Sequence, residues 1–118
     1  MSPTKVTMNV RQVNRQICVI DIQGEVTASA ENMLMDAYAQ AGGVPTIILN
    51  FSRLNYMNSS GIGLLVTLLI RTNRQGEHLI AVNMSDHYRH IFDLTGLNQA
   101  IAIYDTEAEA LAAIAASA

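Results

Sequence analysis

Tryptophan is missing from this 118-residue chain, proline occurs twice and cysteine once. A single thiol, Cys18, cannot close an intramolecular disulfide, which excludes a small secreted scaffold stapled by cystines. Cys18 lies in the apolar run Ile17-Cys18-Val19-Ile20 and reads as a small core hydrophobe. Charged residues are also scarce, at 14%, and the net charge is −3. Without an excess of Lys and Arg there is no electrostatic footprint for nucleic acid. No apolar run approaches the ~20 residues that span a bilayer. The start Met1-Ser2-Pro3-Thr4-Lys5 lacks the apolar stretch of a signal peptide, so the expected location is the cytoplasm. Signs of catalysis are lacking too. His78, His87 and His90 have no metal-like arrangement with carboxylates, and His87 and His90 are expected on the outside of their helix. There is no Gly-rich dinucleotide fingerprint or P-loop lysine, and no G-x-S-x-G elbow surrounds Ser59 or Ser60. Asp21 and Glu25 flank a strand end without a visible environment that would tune them. The expectation is a non-enzyme with no catalytic residue, no metal and no cofactor.

What is present is aliphatic. Half of the residues are hydrophobic, enough for one domain over 1–118 that buries roughly two-thirds of its unfolded surface. Val6 to Val10 alternates as an edge strand does, Asn14-Arg15 turns, and Ile17 to Ile22 reads as a better strand ending at Gly24. Thr27 and Glu31 open a helix in which Met33, Ala37 and Ala41 recur at a four-residue spacing, and Gly42, Gly43 and Pro45 stop it. Thr46 to Phe51 is apolar on successive residues, as in a central strand covered on both faces. A helix from about Ser59 to Arg74 follows, then the strand His78 to Val82. Next comes a helix capped by Ser85-Asp86 that carries Tyr88, Ile91 and Phe92 on one face and stops at Gly96. The short strand Ile101 to Ile103 leads to a capping box, Thr106 to Glu109, before the last helix. This alternation predicts an α/β fold: a mostly parallel sheet with right-handed crossovers, its opening pair able to run antiparallel.

The most informative run is Tyr56-Met57-Asn58-Ser59-Ser60-Gly61-Ile62-Gly63-Leu64-Leu65. It places two hydroxyls between an extended segment and an apolar helix. Helix N-termini carry unpaired amide donors and partial positive charge, which favour a phosphate. Taken alone, the run reads first as a plain helix cap and second as a phosphorylation switch. At about 100° per residue, Ile62, Leu65, Val66 and Leu69 share an arc expected to face the sheet, leaving Ser60, Gly63, Leu64, Thr67 and Arg71 outside. That outer strip is small, smooth and nearly uncharged. It suits a docking partner, with Gly63 permitting close approach, or it is an ordinary solvated face with one stray leucine.

The order of elements and the run Asn50-Phe51-Ser52-Arg53-Leu54-Asn55-Tyr56-Met57-Asn58-Ser59-Ser60-Gly61-Ile62-Gly63 resemble the STAS family, the C-terminal domains of sulfate transporters and the bacterial anti-sigma factor antagonists. Gly24-Glu25-Val26, Phe92-Asp93-Leu94-Thr95-Gly96-Leu97 and Tyr104-Asp105-Thr106-Glu107 match it too, so the resemblance covers nearly the whole chain. It implies a STAS-like single-layer mixed β-sheet, central strands parallel, with helices packed on it, and it reverses the preference for a mere cap. It further implies a partner switch: an unphosphorylated antagonist binds an anti-sigma factor that is also a serine kinase. The kinase phosphorylates Ser59 (Ser60 being the second choice), the complex dissociates, and a metal-dependent serine phosphatase resets it. The partner surface would comprise Asn58, Ser59, Ser60, Gly63, Leu64 and Thr67, with Glu25 and Thr27 alongside. No nucleic acid and no membrane insertion are implied. This chain departs from the family pattern at Asn50 and Asn58, where acids are usual, and at Thr27. Asn58 is still a competent cap, and losing a carboxylate removes a repulsion against an incoming phosphate while also removing a possible contact to a cognate kinase. A STAS scaffold that never cycles through phosphate, stressosome-like or transport-associated, is the second reading, and a small serine enzyme the third.

Overall fold

The structure, a computed structural model, describes residues 5–117; the Met1–Thr4 part of the start read above for a signal peptide lies outside them. Five strands form one sheet in sequence order: β1 (Val6–Gln12), β2 (Ile17–Val26), β3 (Thr46–Met57), β4 (His78–Val82) and β5 (Ala102–Tyr104). β1 pairs antiparallel with β2, and every later pairing is parallel. The helices are α1 (Glu31–Gln40), α2 (Ser59–Arg74), α3 (Asp86–Thr95) and α4 (Glu107–Ser117). The expected mixed α/β architecture is the one observed, and the opening pair, which the sequence leaves free to run antiparallel, does so.

Alternation along the strands separates two cores. Cys18, Ile20, Ile22, Ile47 and Leu49 join Leu34 of α1, Leu64, Leu65 and Leu68 of α2, and Phe92 of α3 in the larger cluster. Val19, Ile48 and Val82 point the other way, toward Ala110 and Leu111 of α4. Because both faces of the central strands are covered, β2 and β3 are apolar on successive residues near their starts. Cys18 is buried in the larger core, and its Sγ lies 3.6 Å from the Ala41 carbonyl, as expected of a packing cysteine.

The strands that end at the site are longer than the sequence suggests. β2 continues past Gly24 to Val26, and β3 past Phe51 to Met57. The pairing register slips twice, between Asp21 and Gln23 and between Gly24 and Glu25, so β3 carries extra residues that bend it while pairing continues. Gly24 sits at φ +98°, where a Cβ would lie 1.9 Å from the Lys5 carbonyl oxygen, so only glycine fits this close approach. A second difference concerns Thr27. It precedes a single 3-10 turn, Ala28–Ala30, and makes no side-chain cap; its Oγ1 lies 2.9 Å from Ser29 Oγ. The hydroxyls satisfy each other, and α1 starts later, at Glu31. The other caps follow expectation: Ser85 Oγ accepts the Tyr88 N–H, Thr106 Oγ1 accepts the Glu109 N–H, and Gly96 closes α3 in the left-handed region.

Candidate functional site

One residue separates β3 from α2. Asn58 has extended backbone, and its Oδ1 accepts the Gly61 N–H at 2.9 Å. Its own N–H donates to the Val26 carbonyl at 3.3 Å, and its carbonyl accepts the Ile62 N–H at 3.0 Å. Ser59 and Ser60 are therefore the first two residues of the helix, and their amides have no acceptor within it. Both side chains are exposed. The first turn of α2 contains no acid, while Arg71 and Arg74 occupy the last. No acid of that turn neutralises the positive end of the helix dipole beside the two hydroxyls, a favourable place for added negative charge.

The two glycines of the run do different things. A Cβ on Gly61 would lie 2.3 Å from the Val26 carbonyl oxygen and 2.8 Å from Met57 Cγ, whereas one on Gly63 would meet nothing within 4 Å. Gly61 lets the helix sit down on the end of β2; Gly63 keeps the outer face bare. Alanine at the two positions should thus have opposite effects. Gly61→Ala should destabilise by ~1–3 kcal/mol through overpacking. Gly63→Ala should stabilise by ~0.5–1 kcal/mol through helix propensity. Urea unfolding of both variants checks this; two changes of the same sign would contradict the division.

Around this turn the structure gathers most of the residues the sequence singles out. Val26 pairs with Met57 and Glu25 with Tyr56, so Glu25 and Thr27, both half-buried, lie at the strand end beside Asn58. Gly63 is exposed, and Thr67 is half-buried with its Oγ1 donating to the Gly63 carbonyl at 3.1 Å. Leu64 does not belong to the surface: it is 8% exposed and packs in the main core, while Val66, expected inside, is half-exposed. The buried stripe runs Gly61, Leu64, Leu65, Leu68, Leu69, Thr72, rotated roughly 80° from the arc inferred from sequence. The helix packs on α1 and the 3-10 turn as well as on β3 and β4, which draws its Leu64–Leu68 side inward. Two surface residues went unrecognised in the sequence. Ile70, 46% exposed, is the apolar group of the outer strip, and Tyr56, 49% exposed, stands next to the turn. The spacing Gly63, Thr67, Ile70 is the i, i+4, i+7 signal that would have found the first.

Asn50 is not part of this turn. Its Nδ2 donates to Asp21 Oδ1 at 2.8 Å, and its Oδ1 accepts from Asn83 Nδ2 at 2.9 Å and from the Ser52 N–H at 3.1 Å. Arg11 completes the chain, bonding Asp21 Oδ1 at 2.9 Å and Glu107 Oε1 at 2.7 Å. An amide can donate to one neighbour and accept from another, whereas an ionised acid here would face the Asp21 carboxylate. The departure at position 50 therefore has a local structural reason. Arg11, ahead of the Asn50 hydrogen bond, holds the Asp21 carboxyl below the usual carboxylate range, against the opposing effect of burial. With its folded-state pKa depressed, Asp21 contributes stability above its unfolded value of 3.8 that is lost as pH falls through the folded value. Asp21→Asn should flatten the acid limb of a stability–pH curve measured below pH 5 or so; an unchanged limb would mean the pairing is idle.

A family model described as the STAS domain matches residues 8–110. The chain belongs to the STAS domain family. Over 101 residues it is 27% identical to the anti-sigma F factor antagonist of Paenibacillus polymyxa, covering 83% of this chain and 86% of that protein. Its fold superposes on the Bacillus cell fate determinant SpoIIAA in the phosphorylated form with a TM-score of 0.72 and 31% identity, over 92% of this chain and 99% of that one. The unphosphorylated form of the anti-sigma factor antagonist SpoIIAA gives 0.73 and 29%, over 92% and 97%. In this STAS domain, no group of three His, Cys, Asp or Glu is placed to hold a metal among the described residues, and no helix among them is long and apolar enough to cross a membrane.

Proposed function

We propose that this STAS domain is an anti-sigma factor antagonist of a bacterial partner-switching pathway, switched by phosphorylation at Ser59. The single observation that carries the reading is an exposed serine at the first position of α2, held by the Asn58 cap, with no acid in that turn. Its relatives support it: an anti-sigma F factor antagonist and a SpoIIAA known in a phosphorylated form. The unphosphorylated protein binds an anti-sigma factor with serine-kinase activity through Ser59, Ser60, Gly63, Thr67 and Ile70 on α2, with Glu25 and Thr27 at the β2 end. Leu64 supports this surface from beneath. The kinase transfers a phosphate to Ser59, and a metal-dependent serine phosphatase removes it. Asn58 caps the helix as an aspartate would, without placing a negative charge beside that phosphate. No catalytic group of the chain takes part.

Affinity purification from the native cell with Ser59→Ala as bait tests this. The expected catch is a serine kinase of the anti-sigma type, together with stoichiometric phosphate on Ser59 in the untreated protein. Capture of a large assembly with unmodified Ser59 would establish the scaffold reading instead. Gly63→Leu should weaken the same complex at least about tenfold while leaving helix content unchanged, since a side chain there projects into the contact.

A further inference from the structure

The turn that presents Ser59 is carried on an overhang. β3 extends to Met57, but β4 accompanies it only as far as the Asn50–Val82 pair. Beyond that point β3 keeps β2 on one side, through a register that has slipped twice, and among the described residues has no strand on the other. A strand edge of this kind leaves main-chain donors that need acceptors once they are buried. At the last residue of the strand, the acceptor is a side chain from elsewhere in the fold. The Met57 N–H donates to the Tyr88 hydroxyl at 2.7 Å in a buried contact. Tyr88 belongs to α3 and is 8% exposed, its ring packed in the main core. Met57 is next to Asn58 and two residues from Ser59, and its side chain lies under Gly61. The other ties on the turn, Asn58 N–H to Val26 and Gly61 N–H to Asn58, come from β2 and the turn itself.

We propose that Tyr88 is the positioning residue of the switch, its hydroxyl fixing Met57 and through it the pose of Ser59 at the start of α2. The inference rests on Ser59 being the modified residue, and it adds a group outside the Asn58–Gly63 run to the machinery. Removing the hydroxyl leaves a buried N–H without a partner, and the cheapest remedy is for the strand end to shift toward water. Because Asn58 is the next residue, that shift is transmitted to the cap and to the geometry in which a phosphate meets the helix amides.

The test compares the full chain with Tyr88→Phe, which keeps the ring and deletes only the oxygen. Amide hydrogen exchange by NMR should accelerate at Met57 by roughly 3- to 10-fold, the value of one ordinary hydrogen bond, with Ile80 and Ala81 in β4 unchanged. With phosphoserine encoded at position 59, phosphorus NMR should show a second phosphate pKa held below the ~6 of a free phosphoserine. That pKa should move back up in Tyr88→Phe. Site-specific 4-aminophenylalanine at 88 keeps the shape, stays neutral across the phosphate titration and offers a weaker acceptor than the hydroxyl, and should shift both readouts less in the same direction; it also serves if the phenylalanine variant fails to fold. The proposal is overturned by an unchanged Met57 exchange rate, by an acceleration shared equally with Ile80 and Ala81, or by an unaltered phosphate titration. None of these readouts needs a kinase, so a failure to find phosphate on Ser59 in cells would remove the switch reading without touching them.

Discussion

Ser59→Asp should bind the partner about 2–4 kcal/mol more weakly than Ser59→Ala, roughly 30- to 900-fold in Kd, while melting within a few degrees of it. The two halves of that expectation have different origins. A phosphate brings about −1.5 to −2 charges at neutral pH, and it lands at the N-terminus of α2, where the first turn has no acid to repel it. The dipole and the amides of the first turn favour it by up to ~1 kcal/mol at an exposed position. The folded state is therefore indifferent to the modification or slightly stabilised by it. The penalty falls on the complex, where the charge must be stripped of water against a surface shaped for a bare hydroxyl. Aspartate carries less charge than phosphate and is the milder version of the same change. Isothermal titration with the captured partner and thermal melts of both variants give the answer. Equal affinities, or an unfolded Ser59→Asp, would rule out a switch that acts at the interface.

Leu64→Ala and Leu65→Ala should each cost ~2–5 kcal/mol, the range for truncating a buried leucine. Leu65 is 1% exposed and was expected in the core; Leu64, at 8%, was expected on the surface. The adjacent pair is informative because a surface leucine at 64 would give a change within ~0.5 kcal/mol. Urea midpoints at constant m-value separate the two cases. A loss below ~1 kcal/mol for Leu64→Ala would return it to the docking strip, and with it the outward phase of the helix.

What the sequence makes legible, and what it hides, follows from where each signal resides. Alternation of apolar strands with capped helices is local, and so the nine main elements of the described residues can be read directly. The Asn58 cap is equally local, and it marks the turn that presents Ser59. The rotation of α2 is not local. Four leucines and two isoleucines leave several arcs with similar apolar content, and the choice among them depends on α1 and the 3-10 turn closing over the Leu64 side. The full lengths of β2 and β3 are hidden in the sequence because bulged strands lose the two-residue period that identifies a strand. Asn50 looked like a lost functional acid; its hydrogen bonds to partners on β2 and after β4 are visible only once those strands are side by side. Tyr88 showed the same limit. Its place beside Ile91 and Phe92 on one face of α3 is legible, but its hydroxyl's acceptor role depends on a strand end far away in sequence.

The sheet's strand order has a consequence for how the molecule comes into being. Each strand is laid beside its predecessor, so a ribosome releases the strands in the order in which they neighbour one another. β1, β2, β3 and α2, with the capped serine, emerge before α3. Until α3 is delivered, the Met57 amide has only water to bond. A chain still under construction therefore cannot make the Tyr88 tie, and a kinase or partner that demands the tied turn would ignore it.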